Sequence, residues 1–144
     1  MLLQLSIHHL ALINDMTIDF EPGMNVMTGE TGAGKSIVVD AVNLVLGGRA
    51  ARELIRTGTD KAWVEAVFDA SGNEEVAKWA QAQALDDFDG TVTLYREITR
   101  SGRNLCRVCG VVMPLSALKD IAVLLMDVHG QHEAQFLMSS QYHL

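Results

Sequence analysis

Apolar and polar residues alternate at the start of the chain, so Leu3, Leu5 and Ile7 share one face of a predicted strand. Met16-Thr17-Ile18-Asp19-Phe20 repeats the alternation. It runs into Glu21-Pro22-Gly23, where Pro sets φ and Gly is free to take φ > 0. The two pieces read as an antiparallel pair. A short, mostly apolar strand, Met24 to Thr28, then ends in a glycine-rich loop. From Lys35 to Leu46 the pattern is helical and apolar nearly all round, which marks a buried helix, and Gly47-Gly48 ends it. Ala62 to Phe68 reads as a strand and Glu74 to Ala84 as an exposed helix. Thr91 to Thr99 and Leu105 to Val112 read as two strands around the turn Ser101-Gly102-Arg103-Asn104. Pro114 suits the first turn of a helix carrying Leu115, Leu118, Ile121, Leu124 and Leu125. His129-Gly130-Gln131-His132 breaks the pattern before a last polar helical start. Strands and helices mix, so the fold is α/β or α+β.

Composition narrows the class. The 144 residues, 49% hydrophobic and 20% charged with two prolines, describe one globular domain able to bury a core. No apolar run approaches the ~20 residues of a membrane-spanning helix, and no membrane partner is expected. The opening MLLQLSIHHL has no basic region of the secretory kind. Two cysteines are too few for a disulfide framework and point to a reducing, cytoplasmic compartment. With a net charge of −7, any grip on nucleic acid must come from a local patch.

Gly29-Glu30-Thr31-Gly32-Ala33-Gly34-Lys35-Ser36 matches G-x-x-x-x-G-K-[ST] in full, between a predicted strand and a predicted helix. Glycines let successive backbone N–H groups converge on phosphate oxygens, and the helix N-terminus adds the positive end of its dipole. In such a loop Lys35 reaches the β- and γ-phosphates and the Ser36 hydroxyl ligates Mg²⁺. Nucleotide binding follows, though kinases, helicases, motors and ABC-type ATPases all share the motif. No N-K-x-D tetrapeptide for reading guanine occurs.

The surroundings are more specific. Ile7-x-x-Leu10, Ile18-x-Phe20, Gly23, the phosphate loop and Asp40-Ala41 together resemble the N-terminal half of an SMC-like ABC ATPase head. Three further segments resemble the RecN family of bacterial DNA repair ATPases: Glu30-Thr31, Leu46-Gly47-Gly48-Arg49-Ala50 with Arg56-Thr57-Gly58, and His129-Gly130-Gln131-His132-Glu133. Cys109-Gly110 stands where that family often has Asn-Gly at a hairpin. The resemblance implies an α/β P-loop NTPase of the ABC/SMC type, with a mixed sheet around a buried P-loop helix and an antiparallel β part. It implies ATP and Mg²⁺ held by Gly29 to Ser36, with Gln131 as the glutamine that touches Mg²⁺ or the attacking water. It also implies heads that associate around ATP, and action on DNA double-strand breaks at the nucleoid. The Walker B carboxylates and signature motif of such proteins lie beyond a coiled-coil arm. Residues 1–132 are therefore expected to form part of a head and 133–144 to start the helix into an arm. ATP hydrolysis is expected of the full-length protein and not of this piece alone. Two rivals remain: a DNA-tethering module switched by nucleotide, and a P-loop small-molecule kinase, which needs an acceptor site and lid arginines and against which the segments after Gly47 argue.

Other features carry two readings each. Arg96, Arg100, Arg103 and Arg107 cluster on a predicted hairpin, as a patch for DNA phosphates or as a solvated face. Arg49, Arg52, Arg56 and Lys61 form a second group, expected nearer the nucleotide. Ile121 to Asp127 has the look of a Walker B strand, but helical spacing from Pro114 and the lack of a following Glu favour a helix. Cys106-x-x-Cys109 and His129-x-x-His132 are poorly spaced for zinc, and the cysteines would face opposite sides of one strand. Trp79 reads as a local packing residue.

Overall fold

The computed structural model describes residues 1–20 and 32–126, with 32–35 described by their backbone. The opening alternation folds as β1 (Leu2–Leu10) and β2 (Ile13–Asp19), which pair antiparallel with Ile7 opposite Met16. Two residues join them, Ala11 standing at φ 50, and this close connection fixes the register. The apolar run forms α1 (Gly32–Val45), and a single 3₁₀ turn (Arg52–Leu54) follows before β3 (Lys61–Asp69). Then come α2 (Glu74–Ala82), β4 (Thr91–Thr99), β5 (Asn104–Val108), β6 (Val111–Met113) and α3 (Leu115–Leu125). The six strands make one sheet in the order β2-β1-β3-β4-β5-β6, and every pairing among the described residues is antiparallel. The predicted strand Met24 to Thr28 lies outside the described residues.

Period-2 alternation gives the sheet two unlike faces. Leu5, Ile7, Val64, Ala66, Leu94 and Val108 line the packed one and are fully buried. Against them α1 sets Val38, Ala41, Leu44 and Val45, and α3 sets Leu118, Ile121 and Leu125, in one continuous core. The opposite face is polar and satisfies itself. His8 Nδ1 meets Asp15 Oδ1 at 2.6 Å and its ring stacks on Trp63 at 4.7 Å. Tyr95 Oη donates to Glu97 at 2.7 Å, and the Arg107 guanidinium lies over the Tyr95 ring.

Local chemistry explains the element ends. Asn73 caps α2 by accepting from the Val76 amide at 3.1 Å, and Glu74 and Glu75 complement the dipole in its first turn. α2 is shorter than the Glu74 to Ala84 expected, because Ala84 turns left-handed at φ 59. The stretch Leu105 to Val112 is two strands where one was expected. Cys109 (φ 51) and Gly110 (φ 81) reverse the chain between the paired residues Val108 and Val111. Cys109 therefore sits in a turn and Cys106 in the core, which replaces the expectation of opposite faces of one strand. Ile121–Leu125 is helical, so the apolar run before Asp127 is not a Walker B strand; Asp127 itself lies outside the described residues. Trp79 is partly buried against the core, as a packing residue.

Candidate functional site: the two ends of the phosphate-loop helix

α1 begins at Gly32, inside the phosphate-loop motif, so its first turn is built from Gly32, Ala33, Gly34 and Lys35. The amides of a first turn have no carbonyl to bond within the helix. No acidic residue lies in that turn to occupy them. Two of its four residues are glycines, which leave the approach to those amides free of Cβ atoms. This arrangement fits a phosphate chain. Gly29, Glu30 and Thr31 lie outside the described residues, as do Gln131, His129 and His132. The helix body is clamped by its apolar side, with Ala41 and Val45 fully buried, while Asp40 and Asn43 face outward. Partial burial raises the Asp40 carboxyl above its ordinary value.

The four hairpin arginines do not form one patch. Arg96 is 1% exposed, on the packed face between Leu94 and Ile98, and cannot touch DNA. Its Nη1 donates to the carbonyls of Leu44 and Gly48 at 2.9 and 3.0 Å, at the C-terminal end of α1. Its Nε and Nη2 donate to Asn104 Oδ1 at 3.3 and 3.1 Å. Burial lowers its pKa, partly countered by Cys106, whose own thiol is raised by burial. Arg107 points to the other face and covers Tyr95. Sequence parity carried a signal here: Arg96 is in phase with the buried Val92, Leu94 and Ile98.

Arg100 and Arg103 remain, and the fold joins them to the second group. Arg100 Nε donates to Thr59 O at 2.6 Å and its Nη2 to Arg56 O at 3.0 Å. A Cβ on Gly102 would stand 3.2 Å from Arg52 Nη2, so the 3₁₀ turn lies against the β4–β5 turn. Arg56 Nη1 in turn donates to Leu12 O at 2.8 Å. Arg52, Arg56, Arg100 and Arg103 thus gather at one end of the sheet, with Arg49 three residues before Arg52 in the chain and Glu53 and Asp60 as the acids of those two segments. Among the described residues none of the five pairs with a carboxylate. Arg56 lies beside the β1–β2 connection, where its amide donates to His9 O at 2.8 Å. No group of three metal-binding side chains occurs among the described residues, where Cys106 and Cys109 stand without histidine partners.

Comparison with known proteins follows the same lines. A family model for the AAA domain matches residues 4–105. The chain is 42% identical over 144 residues to the DNA repair protein RecN of Bacillus subtilis, all of the chain aligning with 25% of that protein. It is 41% identical to the DNA repair protein RecN of Halalkalibacterium halodurans, again over its whole length and 26% of the relative. The chain therefore spans about a quarter of the length of these curated relatives. In structure it resembles the SMC head domain from Thermotoga maritima, with a TM-score of 0.63 and 24% identity over 83% of this chain and 41% of that one. At that identity the likeness speaks for the fold, that of a P-loop NTPase head of the ABC/SMC type; the mixed sheet expected of it is not seen among the described residues, whose strands all pair antiparallel.

Proposed function

The chain belongs to the AAA-domain family as a head segment of the RecN/SMC-like ATPases, and from that premise we propose that it is the ATP-binding N-terminal part of a DNA repair ATPase head. The observation that carries this reading is the start of α1 inside the phosphate-loop motif, with a first turn free of acids. Amides of Gly32, Ala33 and Gly34 bind the β-phosphate, and the Lys35 ammonium spans β- and γ-oxygens. Gly29, Glu30 and Thr31 supply the rest of the cradle. The Ser36 hydroxyl and Gln131 would hold Mg²⁺, which would supply charge neutralisation at the phosphates. Hydrolysis transfers the γ-phosphoryl group to water, and here the chain's own part is to bind and orient. ATP draws two heads together, and its hydrolysis releases them.

DNA belongs at the arginine cluster. Arg49, Arg52, Arg56, Arg100 and Arg103 offer guanidinium groups unpaired by carboxylates among the described residues, on a chain that is otherwise acidic. Such a cluster also supports the rival reading of a DNA-tethering module in which nucleotide acts as a switch. Full-length Lys35→Ala protein decides between them: it loses repair and head engagement under the first, and keeps DNA bridging under the second.

Calorimetric titration with ATP and Mg²⁺ tests the reading itself. Wild-type full-length protein gives a binding isotherm, and Lys35→Ala weakens it about a hundredfold. A wild-type protein that releases no heat and shows no ATP-dependent stabilisation overturns the assignment.

A further inference from the structure

The C-terminal end of α1 is closed by more than helix termination requires. Gly47 turns the chain at φ 99, its amide donates to Leu44 O at 3.1 Å, and the Gly48 amide donates to Asn43 O at 2.8 Å. Backbone bonds of this kind suffice to end a helix. To them the fold adds a buried guanidinium, whose Nη1 spans the Leu44 and Gly48 carbonyls while its other nitrogens hold Asn104. Among the described residues no carboxylate neutralises Arg96, and the negative end of the helix dipole stands in for one. Burying such a group is costly, and its neighbours Val92, Leu94 and Ile98 show that an apolar side chain suits this face. An apolar residue would fill the space. It could not tie the helix to the outgoing chain at Gly48 and to the hairpin at Asn104 at the same time.

We infer that Arg96 is a positioning residue of the nucleotide site, fixing α1 along its axis and so setting where the amides at its far end meet phosphate. A 14-residue helix is stiff, so a slip at Leu44 is delivered to Gly32 nearly undiminished. Hydrogen bonds to phosphate weaken over a few tenths of an ångström, which makes affinity sensitive to such a slip. α3 steadies the same end from a third side, where Lys119 closes over Gly47. The inference rests on the reading of the first turn of α1 as the phosphate site.

Steady-state ATP hydrolysis by the full-length protein, with ADP affinity from calorimetry, tests it on Arg96→Met, Arg96→Lys and Asn104→Ala. Arg96→Met is expected to raise KM and the ADP Kd about tenfold with kcat within about twofold. Arg96→Lys keeps a donor for the carbonyls and falls between Met and wild type. Asn104→Ala, at an exposed site, raises KM about threefold. A merely structural role lowers the folded fraction instead, so kcat falls at constant KM. That pattern, or a folded Arg96→Met protein with wild-type KM and Kd, overturns the inference. Should Arg96→Met not fold, Asn104→Ala decides alone, and unchanged KM overturns it. Absence of nucleotide binding by the wild type would sink the functional reading as well, which unchanged variants would leave standing.

Discussion

Gly47 lies so close beneath Lys119 that a Cβ on it would meet Lys119 Cγ at 2.7 Å. The position also requires φ 99, which side chains of the L-series rarely adopt. Helix α3 docks on the end of α1 through this contact. Gly47→Ala is therefore expected to cost about 2–3 kcal/mol, a strain term plus a displaced lysine stem. Gly58→Ala, at φ 91 with nothing within 4 Å, isolates the strain and costs about 1 kcal/mol. Urea unfolding of both variants measures the difference; equal losses would show that the Lys119 contact carries no weight.

Charge at the basic end is open to direct measurement. Arg103→Glu and Arg52→Glu should each weaken binding to duplex DNA and flatten the dependence of log K on log salt by about one. Arg107→Glu, on the far face over Tyr95, should leave the salt slope at its wild-type value. If Arg107 matters and Arg103 does not, the polar face is the DNA surface and the basic end is ordinary solvated surface.

The β5–β6 turn can be improved. Cys109 is held at φ 51, where Asn sits with less strain, and Gly110 follows at φ 81. Cys109→Asn should raise stability by about 0.5–1 kcal/mol, seen as a higher denaturation midpoint at an unchanged urea slope. The substitution gives up one weak contact, from Cys109 Sγ to Thr91 O at 3.8 Å.

Alkaline titration should single out Tyr95. Burial, and then its hydrogen bond to Glu97, raise the phenol well above its ordinary 10.0. A folded-state value raised in this way contributes stability that is complete below pH 10 and lost as pH climbs through the folded value. Denaturant titrations should show stability falling above pH 10, and Glu97→Ala should shrink that fall. Phenolate absorbance that rises for Tyr95 at an ordinary pH would contradict the assignment.

Much of this was legible in the chain because it is local. Alternation placed Leu5, Ile7, Val64 and Leu94 on one face, and Gly47-Gly48 marked the end of α1, where the structure has it. Pro114 announced α3, and the glycine-rich motif marked the start of α1, which begins at Gly32. Arg96 was misread because charge suggested solvent, while its phase with Val92 and Ile98 suggested the core. Its partners Leu44, Gly48 and Asn104 come from other elements, and no local pattern could supply them. The regrouping of Arg100 and Arg103 with Arg52 and Arg56 was hidden for the same reason. It depends on how the chain after α1 returns to the β4–β5 turn.

Among the described residues the sheet ends at β6, a strand of three residues followed by Pro114, which has no N–H to offer. A neighbouring molecule finds too few free rungs there to start a ladder. Concentrated preparations are thereby guarded against fibril-like zippering from that margin, even though Val111 and Val112 lie open to water beside it.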